Sequence, residues 1–376
     1  MNEEIIEKKK ILIFVYIIIF ISFAYSITIG TNWHSEPGAV GDNRVYHDRY
    51  AEELGLSEKS KKHREFHGGM AGDAIHYIMI AMGRSDVSHT PYTYRILVPT
   101  TVGFFAKYLS KDQKDNEFYN DILFKKISFL WRGVNLFCCF LLILIPFLHY
   151  RNFIFSEKSP QIFVPLILMN LINAGVILTV PYSLLDIPLY VIFSLAASFF
   201  FLKNFVLLSI IIAIGILVKE ISIILYLPLM YLLISEKFYL KFKNLLFFLL
   251  PLIIFISIRK FISGDITDMG QMRYDITKNP FDFYYFNRNF YDVGLQNFSA
   301  RIANSLIFVI LISFYLRIKF KLEKEIFIVC ILFTFLIILL NFLFASGVMR
   351  VCQIALPFLL FYSLESIFKK YNNLIC

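Results

Sequence analysis

Long apolar runs, separated by short polar segments, cover most of the chain. A helix needs roughly 20 apolar residues to cross a bilayer, and several runs approach this length without a charged residue. The N-terminal stretch "EKKKILIFVYIIIFISFAYSITIG" is too long for an ordinary cleaved signal sequence, so we predict an uncleaved first helix. The other predicted spans lie near 127–149, 162–180, 184–202, 205–218, 221–235, 244–258, 302–319, 326–344 and 351–367. We therefore expect an all-α polytopic membrane protein, a helical bundle of about ten transmembrane helices in one membrane domain over residues 1–376.

The distribution of basic residues predicts the orientation of this bundle. If both termini are cytoplasmic, the short segments placed inside carry 15 Lys and Arg residues, whereas the short segments placed outside carry two, Lys219 and Arg350. Cytoplasmic loops of membrane proteins collect Lys and Arg, so this asymmetry favours the chosen orientation. We expect an integral protein of a bacterial inner (plasma) membrane with cytoplasmic N and C termini.

Two long segments lie outside the membrane in this topology, residues 31–126 and 259–301. Loops of this length are uncommon unless they are functional. Within the first, "YRILVPTTVGFFAKYL" (94–109) either crosses the membrane or lies in the outer interface as a juxtamembrane helix. The interfacial helix is preferred, because another span would place the later basic loops outside. A further helix is predicted to begin near Asp73 in "AGDAIHYIMIAMG".

Composition agrees with a membrane protein and excludes several other classes. Hydrophobic residues make up 58% of the chain and charged residues 17%, whereas soluble proteins carry roughly half apolar and about a quarter charged residues. None of the five cysteines lies in a long polar loop, so no disulfide framework is expected. The net charge of +9 is explained by basic cytoplasmic loops, and no nucleic-acid partner is expected. The phosphate-binding and nucleophile motifs GxGxxG, GxxxxGK[ST] and GxSxG are absent, so cytoplasmic nucleotide chemistry has no support.

The unusual polar residues all fall on the external side of this topology. Ionisable residues at or within membrane spans are costly and commonly serve a water-filled cavity. The catalytic candidates are Asp73, Asp42 and Asp186, and the substrate-binding candidates are Arg350, Arg95, Lys219, Glu220, Tyr94 and His76.

Each candidate also has a purely structural interpretation. Asp73 and Asp186 are placed where an acidic residue stabilises a helix N-terminus, and Asp186 is a possible N-cap. Lys219 and Glu220 are adjacent and would neutralise each other at a hairpin tip. Arg350 would act as an interface anchor. The histidines show no HExxH or comparable metal-ligand spacing, so the identity of any metal is left open.

Five short motifs occur in an order that resembles the GT-C glycosyltransferases. "GDAIHYIMIAMG" is followed, 21 residues after its Asp, by "YRILVP", which is similar to the first external loop of these enzymes. "LLDIPLYVIFSLA", "ILVKEISIILYLPL" and "GVMRVCQIALPFLLF" resemble their later Asp, Lys-Glu and Arg-Pro segments. The family pattern often has a second Arg or an aromatic residue in the "YR" segment, where this chain has "TPYTYR". This chain also departs from the pattern in having two candidate aspartates in the first loop.

The resemblance implies a GT-C-like helical bundle that transfers a sugar from a polyprenyl-phosphate donor to an acceptor hydroxyl on the extracytoplasmic face, for a cell-envelope glycan. An Asp serves as the base for the hydroxyl, with Asp73 preferred to Asp42, while Asp186 orients the acceptor or holds a metal. The leaving phosphate needs positive charge from Arg350, with Arg95 as second choice, or from a divalent metal, Mg²⁺ or Mn²⁺. The implied partners are a lipid-linked sugar donor, a glycan, lipid or protein acceptor, and the membrane.

Three other functions remain open at this point. A lipid-linked oligosaccharide polymerase or ligase would use similar charges with a lipid-diphosphate glycan. A lipid-saccharide flippase or transporter would have internal repeats with broken helices at the midplane, and none is recognisable in the sequence. An assembly factor without catalysis would need none of the acidic residues. The donor sugar, the acceptor and the oligomeric state are not determined by the sequence.

Overall fold

The computed structural model describes residues 54–57, 74–84, 95–156, 159, 163–168, 170, 185–263, 306–320, 324–344 and 353–372. These residues are predominantly helical and contain no strand. The all-α prediction is therefore confirmed for this part of the chain. The predicted N-terminal helix, most of the loops 31–126 and 259–301, and the candidates Asp42, Asp73, Tyr94 and Arg350 lie outside the described residues.

Helix α1 spans Ala74–Met82 and begins directly after Asp73, close to the predicted start. It ends at Gly83, whose φ of +90° is a conformation that glycine adopts without steric cost. The backbone N–H of Arg84 donates to the carbonyl of Met79 at 2.8 Å, which closes a Schellman-type turn.

Helix α2, Leu97–Leu109, has one packed face and one exposed face. A Cβ on Gly103 would lie 2.1 Å from the carbonyl oxygen of Ala81, so only glycine permits this approach of α2 to α1. On the other side, the large side chains Phe104 and Tyr108 are each 67% exposed. The helix is thus amphipathic, as expected for the interfacial segment predicted at 94–109.

Helix α3 spans Tyr119–His149 and, among the described residues, is the one helix long and apolar enough to cross a membrane. It begins at Tyr119 rather than near residue 127, because its first two turns include the charged residues Asp121, Lys125 and Lys126 and extend beyond the predicted span. Its buried Asp121 accepts a hydrogen bond from the backbone N–H of Ser57 at 3.0 Å, which ties the segment 54–57 to the start of α3.

The central part of the bundle follows α3 and two short helices, α4 (Arg151–Ile154) and α5 (Phe163–Leu168). The next helices are α6 (Asp186–Phe201), α7 (Phe205–Val218), α8 (Tyr226–Ser235) and α9 (Phe242–Ser263). The 3₁₀ segments Glu220–Leu225 and Phe238–Leu240 connect α7 to α8 and α8 to α9. The second external loop was predicted to begin at 259, but its first residues continue α9.

The C-terminal part contains α10 (Leu306–Phe320), α11 (Lys324–Phe344), the 3₁₀ segment Gln353–Ala355 and α12 (Leu356–Asn372). Helix α6 lies at the centre and packs against α3, α7 and α12. Helices α6, α7, the stretch Glu220–Ser235 and the stretch Phe242–Ile258 are apolar but shorter than a full span. The number of about ten spans therefore stays a prediction.

A proline in α9 frees backbone groups in the apolar interior, and neighbouring helices bind them. Pro251 has no N–H, so the carbonyl of Phe247 lacks its normal helical donor and instead accepts the hydroxyl of Ser209 from α7. The hydroxyl of Tyr226 donates to the carbonyl of Phe248 at 2.5 Å and accepts the N–H of Leu252 at 3.1 Å. These bonds hold α9 against α7 and α8 without leaving a polar backbone group unsatisfied.

The two ends of the bundle are distinguished by their contacts. At one end, the imidazole of His149 lies 2.8 Å from the hydroxyl of Ser198, and the hydroxyl of Tyr150 donates to Glu365 at 3.1 Å. These residues lie in or directly after the C-terminal halves of α3, α6 and α12, the halves predicted to be nearer the cytoplasm. The end of the bundle where α6 begins and α7 ends is called the site end. The end that contains His149, Ser198, Tyr150 and Glu365 is called the opposite end.

Candidate functional site

Asp186 is the first residue of α6 and is bonded to a cation from α7. The N-cap position belongs to Leu185, so the N-cap interpretation of Asp186 is wrong. Its carboxylate oxygen Oδ1 accepts a hydrogen bond from Nζ of Lys219 at 3.1 Å. The side chains of Asp186 and Lys219 are only 4% and 11% exposed, which makes this a buried ion pair.

The Lys-Glu tip between α7 and α8 does not neutralise itself. Helix α7 ends at Val218, and Lys219 has an extended backbone with φ −159° and ψ 128°. Successive side chains in an extended segment point in opposite directions. Lys219 therefore reaches Asp186 on α6, whereas Glu220 turns toward Arg95. The interpretation of a self-neutralised tip is wrong, because each residue has a partner far away in sequence.

Glu220 binds Arg95, the residue two positions before α2. Nε of Arg95 donates to Oε2 of Glu220 at 2.8 Å, and Nη2 donates to Oε1. This is the bidentate arrangement that matches a guanidinium to a carboxylate, and such pairs are stronger than single hydrogen bonds. The two residues are 125 positions apart, so the pair joins the residues before α2 to the α7–α8 hairpin.

The same guanidinium is held on a third side by Tyr77, which was not among the predicted site residues. Nη1 of Arg95 donates to the hydroxyl of Tyr77 at 2.5 Å. The ring of Tyr77 stacks on Trp131 of α3, with centroids 6.2 Å apart and planes inclined by 25°. Both side chains are buried, so the position of Arg95 is set by α1, α3 and the hairpin together. The Asp-x-x-x-Tyr spacing from Asp73 to Tyr77 is the sequence signal that could have identified Tyr77.

The site contains two cations, Arg95 and Lys219, and two carboxylates, Glu220 and Asp186, so the charges of these groups balance. Burial by itself would raise the pKa of Glu220, but the charge and hydrogen bonds of Arg95 hold that pKa below its ordinary value of 4.5. Glu220 lies between two apolar helices and is ionised at neutral pH. The stabilisation from its ionised form is complete above the ordinary carboxyl pKa and is lost as the pH falls through the lower pKa of the folded state.

A divalent metal does not fit the described residues of the site. Asp186 is bonded to an ammonium group and Glu220 to a guanidinium group, whereas Mg²⁺ is normally held by carboxylates together with water or phosphate. Over the described ranges, no group of three His, Cys, Asp or Glu side chains has an arrangement that would hold a metal ion. No step is therefore assigned to Mg²⁺ or Mn²⁺.

The structure thus brings together four of the candidates from the sequence, Asp186, Lys219, Glu220 and Arg95, at the site end. His76 is buried on α1, beside Tyr77 in the chain. Asp42, Asp73, Tyr94 and Arg350 lie outside the described residues, so their positions relative to these ion pairs stay predictions.

The chain matches no protein-family model, no curated protein and no solved structure.

Proposed function

We propose that the protein is an integral membrane glycosyltransferase of the GT-C type, which transfers a sugar from a polyprenyl-phosphate donor to an acceptor hydroxyl on the extracytoplasmic face. The main support is the convergence of two buried ion pairs, Arg95–Glu220 and Lys219–Asp186, at the site end of an otherwise apolar bundle. Buried charges are costly and are commonly retained where they serve a function. Helix α1, which begins directly after Asp73, supplies Tyr77 to this cluster and so supports a position for Asp73 nearby.

We also propose about ten transmembrane helices with both termini in the cytoplasm of a bacterial inner membrane. The surface of the described helices supports this, because large apolar side chains are exposed along several of them. Examples from α3, α9, α10 and α11 are Phe129 at 74%, Ile253 at 57%, Ile318 at 75% and Phe335 at 60% exposure. Monomeric soluble proteins rarely expose apolar surface on this scale, whereas lipid contact removes its cost.

A reporter fused after residue 115 tests this topology. Residue 115 lies between α2 and α3, on the side assigned to the exterior. An alkaline phosphatase fusion at this point is expected to be active, because the enzyme folds only outside the cytoplasm, and a green fluorescent protein fusion is expected to be dark. A matched fusion after residue 240, between α8 and α9, should show the reverse pattern. A fluorescent fusion at 115 would overturn both the topology and the location of the site.

In the proposed reaction, Asp73 accepts the proton of the acceptor hydroxyl while the acceptor oxygen forms a bond to the anomeric carbon of the sugar. The bond from that carbon to the phosphate oxygen breaks, and the electron pair leaves with the polyprenyl phosphate. Arg350 binds this phosphate through its planar guanidinium group. Lys219 provides positive charge at the site end, with Asp186 holding its ammonium group in place. Arg95 serves the same phosphate from a position set by Glu220 and Tyr77.

The exposed apolar face of α2 fits the lipid part of such a donor. Phe104, Phe105 and Tyr108 are exposed, while the opposite face carries the close contact of Gly103 with α1. A polyprenyl chain needs an apolar surface beside the polar site, and α2 begins two residues after Arg95. This arrangement would keep the phosphate near Arg95 while the chain remains among lipids.

The proposed activity is tested with purified protein in lipid nanodiscs. Radiolabelled polyprenyl-phosphate sugars serve as donors and a membrane extract as the acceptor source. Lys219→Met is expected to lower the rate of sugar transfer per folded molecule by about 100-fold, because a buried positive charge facing the leaving phosphate is lost. The matched control is Lys203→Met, which breaks the exposed Lys203–Glu236 pair and should leave the rate unchanged.

Other outcomes of this assay separate the alternatives. Consumption of only lipid-diphosphate oligosaccharides would indicate the polymerase or ligase. Movement of intact lipid-linked sugar across sealed vesicles would indicate the flippase or transporter. If no lipid-linked sugar is consumed or moved by the wild-type protein, the proposed function is wrong.

A further inference from the structure

A short segment at the opposite end, "KFYLKFK" (237–243), has a defined shape and an unusual surface. It connects α8 to α9, and we call it the basic tip. Phe238 is its inward anchor, with its ring centroid 5.5 Å from that of Phe205. The carbonyl of Phe238 accepts a hydrogen bond from the side-chain amide of buried Asn244 at 3.0 Å, and Asn244 N–H donates to the carbonyl of Lys241 at 2.8 Å. The tip is therefore held in one conformation by contacts on both sides.

The side chains that this conformation turns outward are large and apolar. Tyr239 is 46% exposed, Leu240 is 70% exposed and Phe242 is 75% exposed. In water, exposure of three such neighbouring side chains is unfavourable. Their surface continues along α9 through exposed Leu246 and Leu249, so the tip and the lipid-facing side of α9 form one apolar surface.

Three exposed lysines accompany these apolar side chains, Lys237, Lys241 and Lys243. The acidic residue directly before them, Glu236, is bonded to Lys203 from the α6–α7 turn at 2.6 Å, which leaves the basic tip with a net positive charge. A segment that combines exposed aromatic and aliphatic side chains with lysines is typical of a surface that lies in the headgroup region of a membrane.

We propose that the basic tip binds anionic phospholipid headgroups of the cytoplasmic leaflet, with Tyr239, Leu240 and Phe242 inserted at the boundary between headgroups and acyl chains. The lysines then lie at the level of the lipid phosphates, where each basic residue strengthens binding to an anionic membrane surface by about fivefold. A soluble acidic partner protein is less compatible, because the apolar surface runs without interruption into that of α9. This inference requires the proposed membrane insertion but not the glycosyltransferase activity.

The experiment places a fluorescent probe in the basic tip. Tyr239→Trp in the full-length protein is reconstituted into vesicles that contain brominated phosphatidylglycerol or brominated phosphatidylcholine. Bromine quenches indole fluorescence on contact, and the wild-type protein, with its two tryptophans, supplies the background to be subtracted. We expect quenching by both lipids, with phosphatidylglycerol at least about tenfold more effective at equal mole fraction.

The role of the lysines is tested in the same protein. Lys237→Gln, Lys241→Gln and Lys243→Gln together should remove the preference for phosphatidylglycerol while quenching by phosphatidylcholine remains, because the apolar side chains still insert. The matched control is Lys203→Gln with Glu236→Gln, which removes a neutral pair and should keep the preference. Leu240→Trp provides a second probe if the first substitution disturbs folding.

Two results would overturn the inference. Equal quenching by the two lipids in the protein with its lysines intact would show that the tip contacts lipid without selecting anionic headgroups. If the fluorescence of neither probe is quenched, the tip is not in the membrane. A soluble partner would then be the occupant of this surface.

Discussion

Asp73→Asn is expected to lower the turnover of sugar transfer by roughly two to four orders of magnitude, the usual contribution of a general base. Asparagine is nearly isosteric with aspartate but accepts no proton, so expression and donor binding should be unchanged. Helix α1 begins at Ala74 and carries Tyr77 into contact with Arg95, so Asp73 precedes a helix that is part of the ion-paired cluster. The measurement is the initial rate of label transfer from a lipid-linked donor, together with the dissociation constant of that donor.

Asp42→Asn is the matched control for this prediction, since Asp42 occurs in the same Gly-Asp-x-x-x-Tyr pattern. It is expected to retain most of the activity, because Arg44 and Arg49 nearby in sequence favour its charged form and weaken it as a base. If Asp42→Asn is inactive and Asp73→Asn is active, Asp42 is the base. If both variants transfer sugar at the wild-type rate, the glycosyltransferase proposal is wrong.

Arg95→Met is expected to destabilise the folded protein by roughly 3–5 kcal/mol, because it leaves the carboxylate of Glu220 buried without its cation. The side chains of Arg95 and Glu220 are only 9% and 17% exposed, so water compensates little for the lost partner. Adding Glu220→Leu should restore most of the stability, since replacement of a whole buried pair by apolar residues is often neutral or favourable. Denaturant unfolding in detergent, followed by the near-ultraviolet signal of Trp131, measures Arg95→Met, Glu220→Leu and the double variant.

The exposed Lys203–Glu236 pair gives the reference for this double-mutant cycle. The Lys203 side chain is 57% exposed, and such pairs contribute at most about 1 kcal/mol. A strong coupling is therefore expected between Arg95 and Glu220 and a weak one between Lys203 and Glu236. Additive effects of Arg95→Met and Glu220→Leu would contradict the buried pair. Recovery of stability without recovery of sugar transfer would assign Arg95 a role in binding the donor as well as in folding.

Much of the helical structure was predictable because it depends on local sequence. Helix α7 spans Phe205–Val218, the range predicted from hydropathy. Asn204 caps its start by accepting the N–H of Leu207 at 3.1 Å, and the polar Lys219 and Glu220 end the apolar run. The first two turns of α3 were missed, since their charged residues lower the hydropathy from which spans are predicted.

The sequence also indicated that Arg95, Asp186, Lys219 and Glu220 belong to one side of the bundle. That inference used only helix order and the basic residues of the loops, both of which can be counted along the chain. The resemblance to the GT-C glycosyltransferases was likewise based on the order of short motifs along the chain. Helix order, loop charge and motif order contain no distance between side chains, so they could not select which cation binds which carboxylate.

The pairing was decided by the tertiary structure. Adjacent charges at the hairpin tip suggested that Lys219 and Glu220 would neutralise each other, but the extended backbone at Lys219 separates them. Packing of α6 against α7 then brings Asp186 to Lys219, and packing of α1 against α3 sets Tyr77, and with it Arg95, opposite Glu220. Contacts between residues 125 positions apart depend on how helices pack, and no local pattern in the sequence encodes that geometry.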